Sequence, residues 1–113
     1  MRVTRGERDG VAILRLEGEF DSFETELVRE AFEACLQQGR HRVVLDLSAL
    51  SFANSTTIAY FITAQKRAKA LGGKVVLAAA GDFIRKTLKT LGLDQVFAFM
   101  GSVDEAVAAL KAG

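Results

Sequence analysis

Proline is absent from this chain, cysteine and histidine occur once each, and neither sign of charge prevails. With no proline and no low-complexity stretch, nothing marks a linker, and the dispersed glycines fall where turns and helix ends are expected. Cys35 alone cannot build a disulfide framework, and Cys35 with His41 is too small a set for the usual zinc sites. Fifteen Lys and Arg against fourteen Asp and Glu leave a formal charge of +1, too weak a field to argue for direct nucleic-acid binding or an anionic membrane. An apolar run of signal-peptide or membrane-spanning length is also missing behind the charged start Met1-Arg2-Val3-Thr4-Arg5-Gly6-Glu7-Arg8. Export and membrane insertion are therefore not signalled, and a cytoplasmic location is expected. What the chain does have is a core: 113 residues, 50% of them hydrophobic and 26% charged, suffice for one ordinary domain.

The apolar pattern alternates between two periods. Arg2 to Arg8 suits an extended strand, Asp9-Gly10 is a two-residue hairpin signal, and Val11 to Leu16 suits a largely buried second strand. From Phe23 to Gln38 the residues Phe23, Leu27, Val28, Ala31, Phe32, Cys35 and Leu36 recur at helical spacing. Asp21 or Ser22 is the candidate N-cap there and Gly39 the stop. Val43 to Leu47 reads as a short buried strand and Ser48 to Asn54 as the loop after it. A second helix starts near Asn54 or Ser55 and runs to Leu71. Ile58, Phe61, Ile62, Ala68 and Leu71 are expected inward, Gln65, Lys66 and Lys69 outward, with Gly72-Gly73 as the terminator. Lys74 to Ala79 is the next strand, Asp82 is expected to cap a helix through Leu91, Gln95 to Phe99 is a strand, and Ser102 caps a last helix reaching Leu110. The order β-β-α-β-α-β-α-β-α implies an α/β fold, with about four helices on a mixed, mostly parallel sheet opened by a hairpin.

The residues for catalysis do not assemble. His41 precedes the strand whose far end leads to Ser55, so the two stand about 20 Å apart at about 3.3 Å per strand residue. Asn54-Ser55-Thr56-Thr57 lacks the glycine-flanked elbow of a hydrolase nucleophile. His41 reads as a solvated turn residue and Cys35 as a small core residue. Gly72-Gly73-Lys74 follows a helix and precedes a strand, the reverse of a phosphate cradle, and reads as a helix stop. Lys66, Arg67, Lys69, Lys74, Arg85, Lys86 and Lys89 read as a solvated basic face, with partner binding as the lesser alternative. A phosphoaspartate receiver with Asp46 as acceptor would need an acidic cluster to hold magnesium, which the strand ends do not supply.

The informative stretch is Leu45-Asp46-Leu47-Ser48-Ala49-Leu50-Ser51-Phe52-Ala53-Asn54-Ser55-Thr56-Thr57-Ile58, where hydroxyl residues gather at a strand-to-helix junction. Capping by Asn54 or Ser55 accounts for one polar residue, a contribution of about 1 kcal/mol. The other reading makes Ser55 a phosphorylation site, because free amides and the positive end of the helix dipole tolerate an added phosphate. About two new negative charges there would oppose a partner docked on the unmodified surface. Phe20, Phe23 and Phe52, near the same junctions, read as core edge, and their exposure would instead favour a docking face.

Taken in order, the opening hairpin, Leu16-Glu17-Gly18-Glu19-Phe20-Asp21, the helix near Phe23, Leu45 to Ile58, Lys74-Val75-Val76-Leu77 and Leu91-Gly92-Leu93 resemble the STAS domain of anti-sigma factor antagonists. The resemblance spans nearly the whole chain and implies a single STAS domain over residues 1–113, non-enzymatic and without a cofactor of its own. It implies a bacterial partner-switching role in transcription regulation: the unmodified protein binds an anti-sigma factor serine kinase and so frees a sigma factor. Phosphorylation of Ser55 reverses the binding and a phosphatase resets it, ATP and magnesium belonging to the kinase. Asp21, Ser22, Asn54, Thr56 and Thr57 are the implied switch neighbours. The family's usual Asp-Ser-[Ser/Thr]-Gly is replaced by Asn54-Ser55-Thr56-Thr57, which removes one negative charge and puts β-branched bulk where the kinase is expected to approach. Relatives that are never phosphorylated serve as signalling scaffolds or as subunits of lipid transporters, and that is the alternative reading. The resemblance leaves the oligomeric state open.

Overall fold

The computed structural model describes residues 2–112. Strand β1 (Arg2–Arg8) turns at Asp9-Gly10 into β2 (Val11–Phe20), both turn residues holding positive φ, 55° and 81°. Such a turn matches the twist of the paired strands, which is why this dipeptide marks the hairpin. There follow α1 (Thr25–Gln37), β3 (Arg42–Ala53), α2 (Ser55–Ala70), β4 (Lys74–Ala78), α3 (Asp82–Thr90), a 3₁₀ turn at Leu93–Gln95, β5 (Phe99–Met100) and α4 (Val103–Ala112). The five strands lie in the order β1-β2-β3-β4-β5, with β1 antiparallel to β2 and every other pair parallel. The α/β class, the mixed sheet and the expected order of elements all hold.

The central strands alternate between two cores. Val43, Leu45, Leu47, Val75 and Leu77 join Val28 and Phe32 of α1, Phe61 of α2, and Ile84 and Leu88 of α3. Val44, Val76 and Ala78 face the other way, onto Ala106, Val107 and Leu110 of α4. Burial on both faces explains why these strands read as continuous apolar runs rather than as alternating ones. At the end of α2, Gly72 holds φ 83°, and a Cβ on Gly73 would lie 1.9 Å from the His41 carbonyl oxygen, so both glycines are needed to return the chain to β4.

Several boundaries differ from expectation. Strand β2 continues to Phe20 and β3 to Ala53, so Ser48–Ala53 is strand, not loop; the two extensions pair Glu17 with Ala49, Gly18 with Leu50 and Phe20 with Ala53 across two register shifts. Helix α1 begins at Thr25, not Phe23, and its N-cap position is Glu24, without a side-chain hydrogen bond. Phe23 is consequently 85% exposed, and Leu27 and Leu71, expected inward, are exposed too. Asp82 is the first residue of α3 rather than its cap, a position taken by Gly81. The strand expected at Gln95 to Phe99 shrinks to Phe99–Met100, with Leu93–Gln95 turning as 3₁₀ instead.

Gln65 is the largest departure: expected outward, it is 2% exposed. Its side-chain nitrogen donates to the carbonyls of Val75 and Val96, each at 3.0 Å, and its oxygen accepts from the Val75 amide at 2.8 Å. Along β4 the amides of Leu77 and Ala79 are met by the β5 segment, from Ala98 and Met100. Strand β5 is too short to reach Val75, and the Gln65 amide takes the place of the missing strand.

Candidate functional site

Because β2, β3 and β4 are parallel, their C-terminal ends open on one edge of the sheet, and that edge carries the starts of α1, α2 and α3. The Asn54 amide donates to the Phe20 carbonyl at 2.9 Å, which fixes the end of β3 beside the end of β2. Asn54 has extended backbone, and its side-chain oxygen accepts from the Thr57 amide at 3.1 Å. The capping role thus falls to Asn54, and the exposed Ser55 stands as the first residue of α2.

Around Ser55 the structure gathers all five of the expected neighbours. The Asn54 amide nitrogen donates to the Ser22 hydroxyl at 3.3 Å, and Ser22 donates to the Thr56 hydroxyl at 3.3 Å. Asp21 accepts from the Phe23 amide at 2.9 Å while its own amide donates to the Glu24 carboxylate at 3.1 Å. The Asp21 carbonyl also accepts from the Thr25 amide at 3.1 Å. Asp21 therefore caps the turn that leads into α1, a reciprocal arrangement with Glu24 three residues on. Hydrogen bonding with the Glu24 side chain, and then with the Phe23 amide, holds the Asp21 carboxyl below its ordinary 3.8.

Thr57 corrects one expectation directly. It adds no bulk to an approaching partner, because it is fully buried. Its hydroxyl lies 2.6 Å from that of Thr25 and within 3.4 Å of the carbonyls of Phe20 and Asp21. Thr25 in turn donates to the Asp21 carbonyl at 3.0 Å. The extra side chain of Thr57 points inward and ties the first turn of α2 to the β2–α1 junction.

Apolar surface flanks this polar centre. Phe20 is buried as expected of a core-edge residue, but Phe23 is 85% exposed, Phe52 44% and Phe83 67%. Phe23 follows β2, Phe52 lies near the end of β3, and Phe83 opens α3 after β4, so all three belong to the Ser55 edge.

A shallow groove of about 440 Å³ lies beside Ser55 and is lined by Arg29, Ser55, Thr56, Ala59, Tyr60 and Thr63. The Arg29 guanidinium sits 4.6 Å from the centre of the Tyr60 ring and pairs with Glu26 at 3.1 Å. The Tyr60 hydroxyl is buried without a hydrogen-bond partner among the described residues, and burial raises its pKa above 10.0 against the opposing charge of Arg29. Sequence reading missed Arg29 and Tyr60. Tyr60 is not among the residues expected inward on its helix, and no motif singles out an arginine on a facing one.

The remaining candidates lie elsewhere. His41 precedes β3 and Ser55 follows it, which puts them at opposite edges of the sheet. Cys35 is a buried core thiol whose pKa burial pushes up. Asp46, the receiver candidate, is 7% exposed in mid-strand, where it accepts from the Ser48 amide at 3.0 Å and lies 3.8 Å from Arg15. No group of three His, Cys, Asp or Glu side chains suited to a metal occurs among the described residues. Lys66, Arg67, Lys69, Lys74, Arg85, Lys86 and Lys89 are exposed, Arg67 being paired with Glu33 and Arg85 with Asp82. No helix among the described residues is long and apolar enough to cross a membrane.

Fold and site together define a small mixed-sheet α/β domain that presents a capped, hydroxyl-rich helix start between exposed phenylalanines. The family model for the STAS domain matches residues 3–106, and the chain belongs to that family. Anti-sigma factor antagonists of this family are generally non-enzymatic. RsfB of Mycobacterium tuberculosis, named an anti-sigma-F factor antagonist, is 27% identical over 112 residues, covering 98% of this chain and 90% of RsfB. An anti-sigma factor antagonist from Mycobacterium paratuberculosis has a crystal structure with TM-score 0.86 and 24% identity, over 96% of this chain and 92% of that one. SpoIIAA of Bacillus superposes in its unphosphorylated form with TM-score 0.83 and 18% identity, over 98% of this chain and 97% of its own. In its phosphorylated form the TM-score is 0.74 at 20% identity, over 95% and 97%.

Proposed function

We propose that this chain is an anti-sigma factor antagonist that works as a partner switch. Unmodified, it binds an anti-sigma factor with serine kinase activity and so releases a sigma factor. The kinase then transfers the γ-phosphoryl group of ATP to Ser55: the new bond joins phosphorus to the serine Oγ, the bond to the leaving ADP breaks, and the hydroxyl proton passes to the kinase. The phosphorylated chain lets go, and a phosphatase returns it to the binding form.

One observation carries this reading. Ser55 is exposed at the first position of α2 while Asn54 does the capping, so its hydroxyl is available to a kinase without loss of the cap. The free amides of that first turn favour an added phosphate, which need not unfold the domain. The exposed Phe23, Phe52 and Phe83 on the same edge supply apolar docking area, and a dianion placed between them opposes a partner seated there.

Capture from lysate of the source organism tests the reading, using three baits: the unmodified chain, Ser55→Ala, and the chain carrying phosphoserine at position 55. The unmodified and Ser55→Ala forms should retain a protein with a serine-kinase domain, and the phosphoserine form should lose it. A complex retained equally by all three would instead identify a constitutive scaffold or transporter subunit.

A further inference from the structure

We propose that the groove between α1 and α2 is a built-in receptor for the phosphate on Ser55, with Arg29 as its cationic partner and the Tyr60 hydroxyl as a hydrogen-bond donor. The inference rests on the reading of Ser55 as the modified residue, and it specifies how the modified state is held.

Arg29 and Tyr60, each about one turn into α1 and α2, line the same groove as Ser55. Arg29 is the one charged side chain lining it, and a guanidinium stays ionised at any physiological pH. Its present partner, Glu26, is an i,i+3 neighbour at 3.1 Å with both side chains about half exposed, the kind of pair that contributes little. A phosphate dianion offers more charge and three acceptor oxygens, and it competes well for the same guanidinium. The second observation is independent of charge. Tyr60 is 4% exposed, and its hydroxyl is the buried side-chain polar group without a partner among the described residues. A buried, unpaired hydroxyl is costly, and on a residue that lines the groove beside a modifiable serine it gains an acceptor when a phosphate arrives. The T-shaped contact of Tyr60 with Phe32, with ring centres 6.3 Å apart, fixes the ring, and the guanidinium already rests over it. Arg29 then exchanges Glu26 for the phosphate without leaving the groove.

The acidic groups on these elements are Glu26, Glu30 and Glu33 of α1, the last paired with Arg67 of α2, and Asp21 and Glu24 in the turn before α1. They act against the phosphate, so its ionisation reports whether Arg29 outweighs them.

The experiment installs phosphoserine at position 55 during translation, so that no kinase is needed, and follows its second ionisation by phosphorus NMR. Arg29→Gln should raise the midpoint by about half a pH unit at low ionic strength, with the gap closing in concentrated salt. Glu26→Gln, which releases Arg29, should lower the midpoint. Tyr60→Phe should raise it by less than Arg29→Gln does. Tyr60 is the sole tyrosine in a chain without tryptophan, so intrinsic fluorescence reports on the groove directly. It should change on phosphorylation in the Arg29 protein and by less in Arg29→Gln, where the hydroxyl alone still meets the phosphate. Equal midpoints for the Arg29 and Arg29→Gln forms would overturn the proposal while leaving Ser55 as the modified residue. Failure to find phosphate on Ser55 in cells would instead remove the reading beneath it.

Discussion

The hydroxyl oxygens of Thr25 and Thr57 lie 2.6 Å apart, joining the first turn of α1 to the first turn of α2 inside the protein. Either hydroxyl can donate within the pair, since each also has a backbone carbonyl in reach, Asp21 for Thr25 and Phe20 or Asp21 for Thr57. Replacing Thr57 by valine keeps the shape and removes its hydroxyl from this network. The expected loss is about 1 to 2 kcal/mol, read as a lower urea midpoint at unchanged slope. A double-mutant cycle with Thr25→Val should return a coupling of about 1 kcal/mol, and additive losses would show that the contact carries no energy of its own.

Gln65 offers a larger effect. Gln65→Leu fills similar space but strands the Val75 amide and the carbonyls of Val75 and Val96 in the interior. A destabilisation of about 3 kcal/mol or more is expected, with amide exchange at Val75 losing its protection ahead of the rest of β4. Unchanged protection at Val75 would mean that another group or water replaces the glutamine.

How much of this was legible in the sequence depended on whether the controlling interaction was local. Asp9-Gly10 could be read because a two-residue hairpin needs positive φ at both positions. Asn54 and Ser102 could be read because each accepts from an amide three residues on, Thr57 and Glu105 respectively. The second half of β3 could not, since Ser48-Ala49-Leu50-Ser51-Phe52-Ala53 lacks the β-branched residues of Val43-Val44 and is held as strand by register with β2. Nor could Gln65: a glutamine on a helix reads as solvated until the shortness of β5 leaves Val75 in need of it. At the site, the alignment of motifs picked out Asp21, Ser22, Asn54, Ser55, Thr56 and Thr57, but the inward direction of Thr57 and the groove with Arg29 and Tyr60 depend on how two helices pack.

The cap makes a third prediction. Asn54→Ala removes the acceptor for the Thr57 amide and should cost about 1 kcal/mol. Asn54→Asp keeps the acceptor and adds a charge at the favourable end of α2, so the unmodified protein should unfold at the same or a slightly higher urea concentration. With phosphoserine at position 55 the order should reverse, because the aspartate and the phosphate repel.

Cys35 sets a pH dependence. Burial holds its folded pKa above the ordinary 9.0, so the folded state keeps the neutral thiol while the unfolded chain ionises. Its contribution to stability is therefore intact below pH 9.0 and is lost as pH rises from there through the folded value. Urea midpoints measured between pH 8 and 10.5 should fall for the native protein more steeply than for Cys35→Ala. A thiol reagent should modify the native chain only as fast as it opens.

The switch itself is tested most directly by intact mass and phosphosite mapping of the chain purified from growing cells of its own organism, beside Ser55→Ala. The account predicts a species carrying one added phosphate, mapped to Ser55 and absent from the Ser55→Ala protein. A chain that stays unmodified through growth and stress, yet is held in a stable complex throughout, would contradict it.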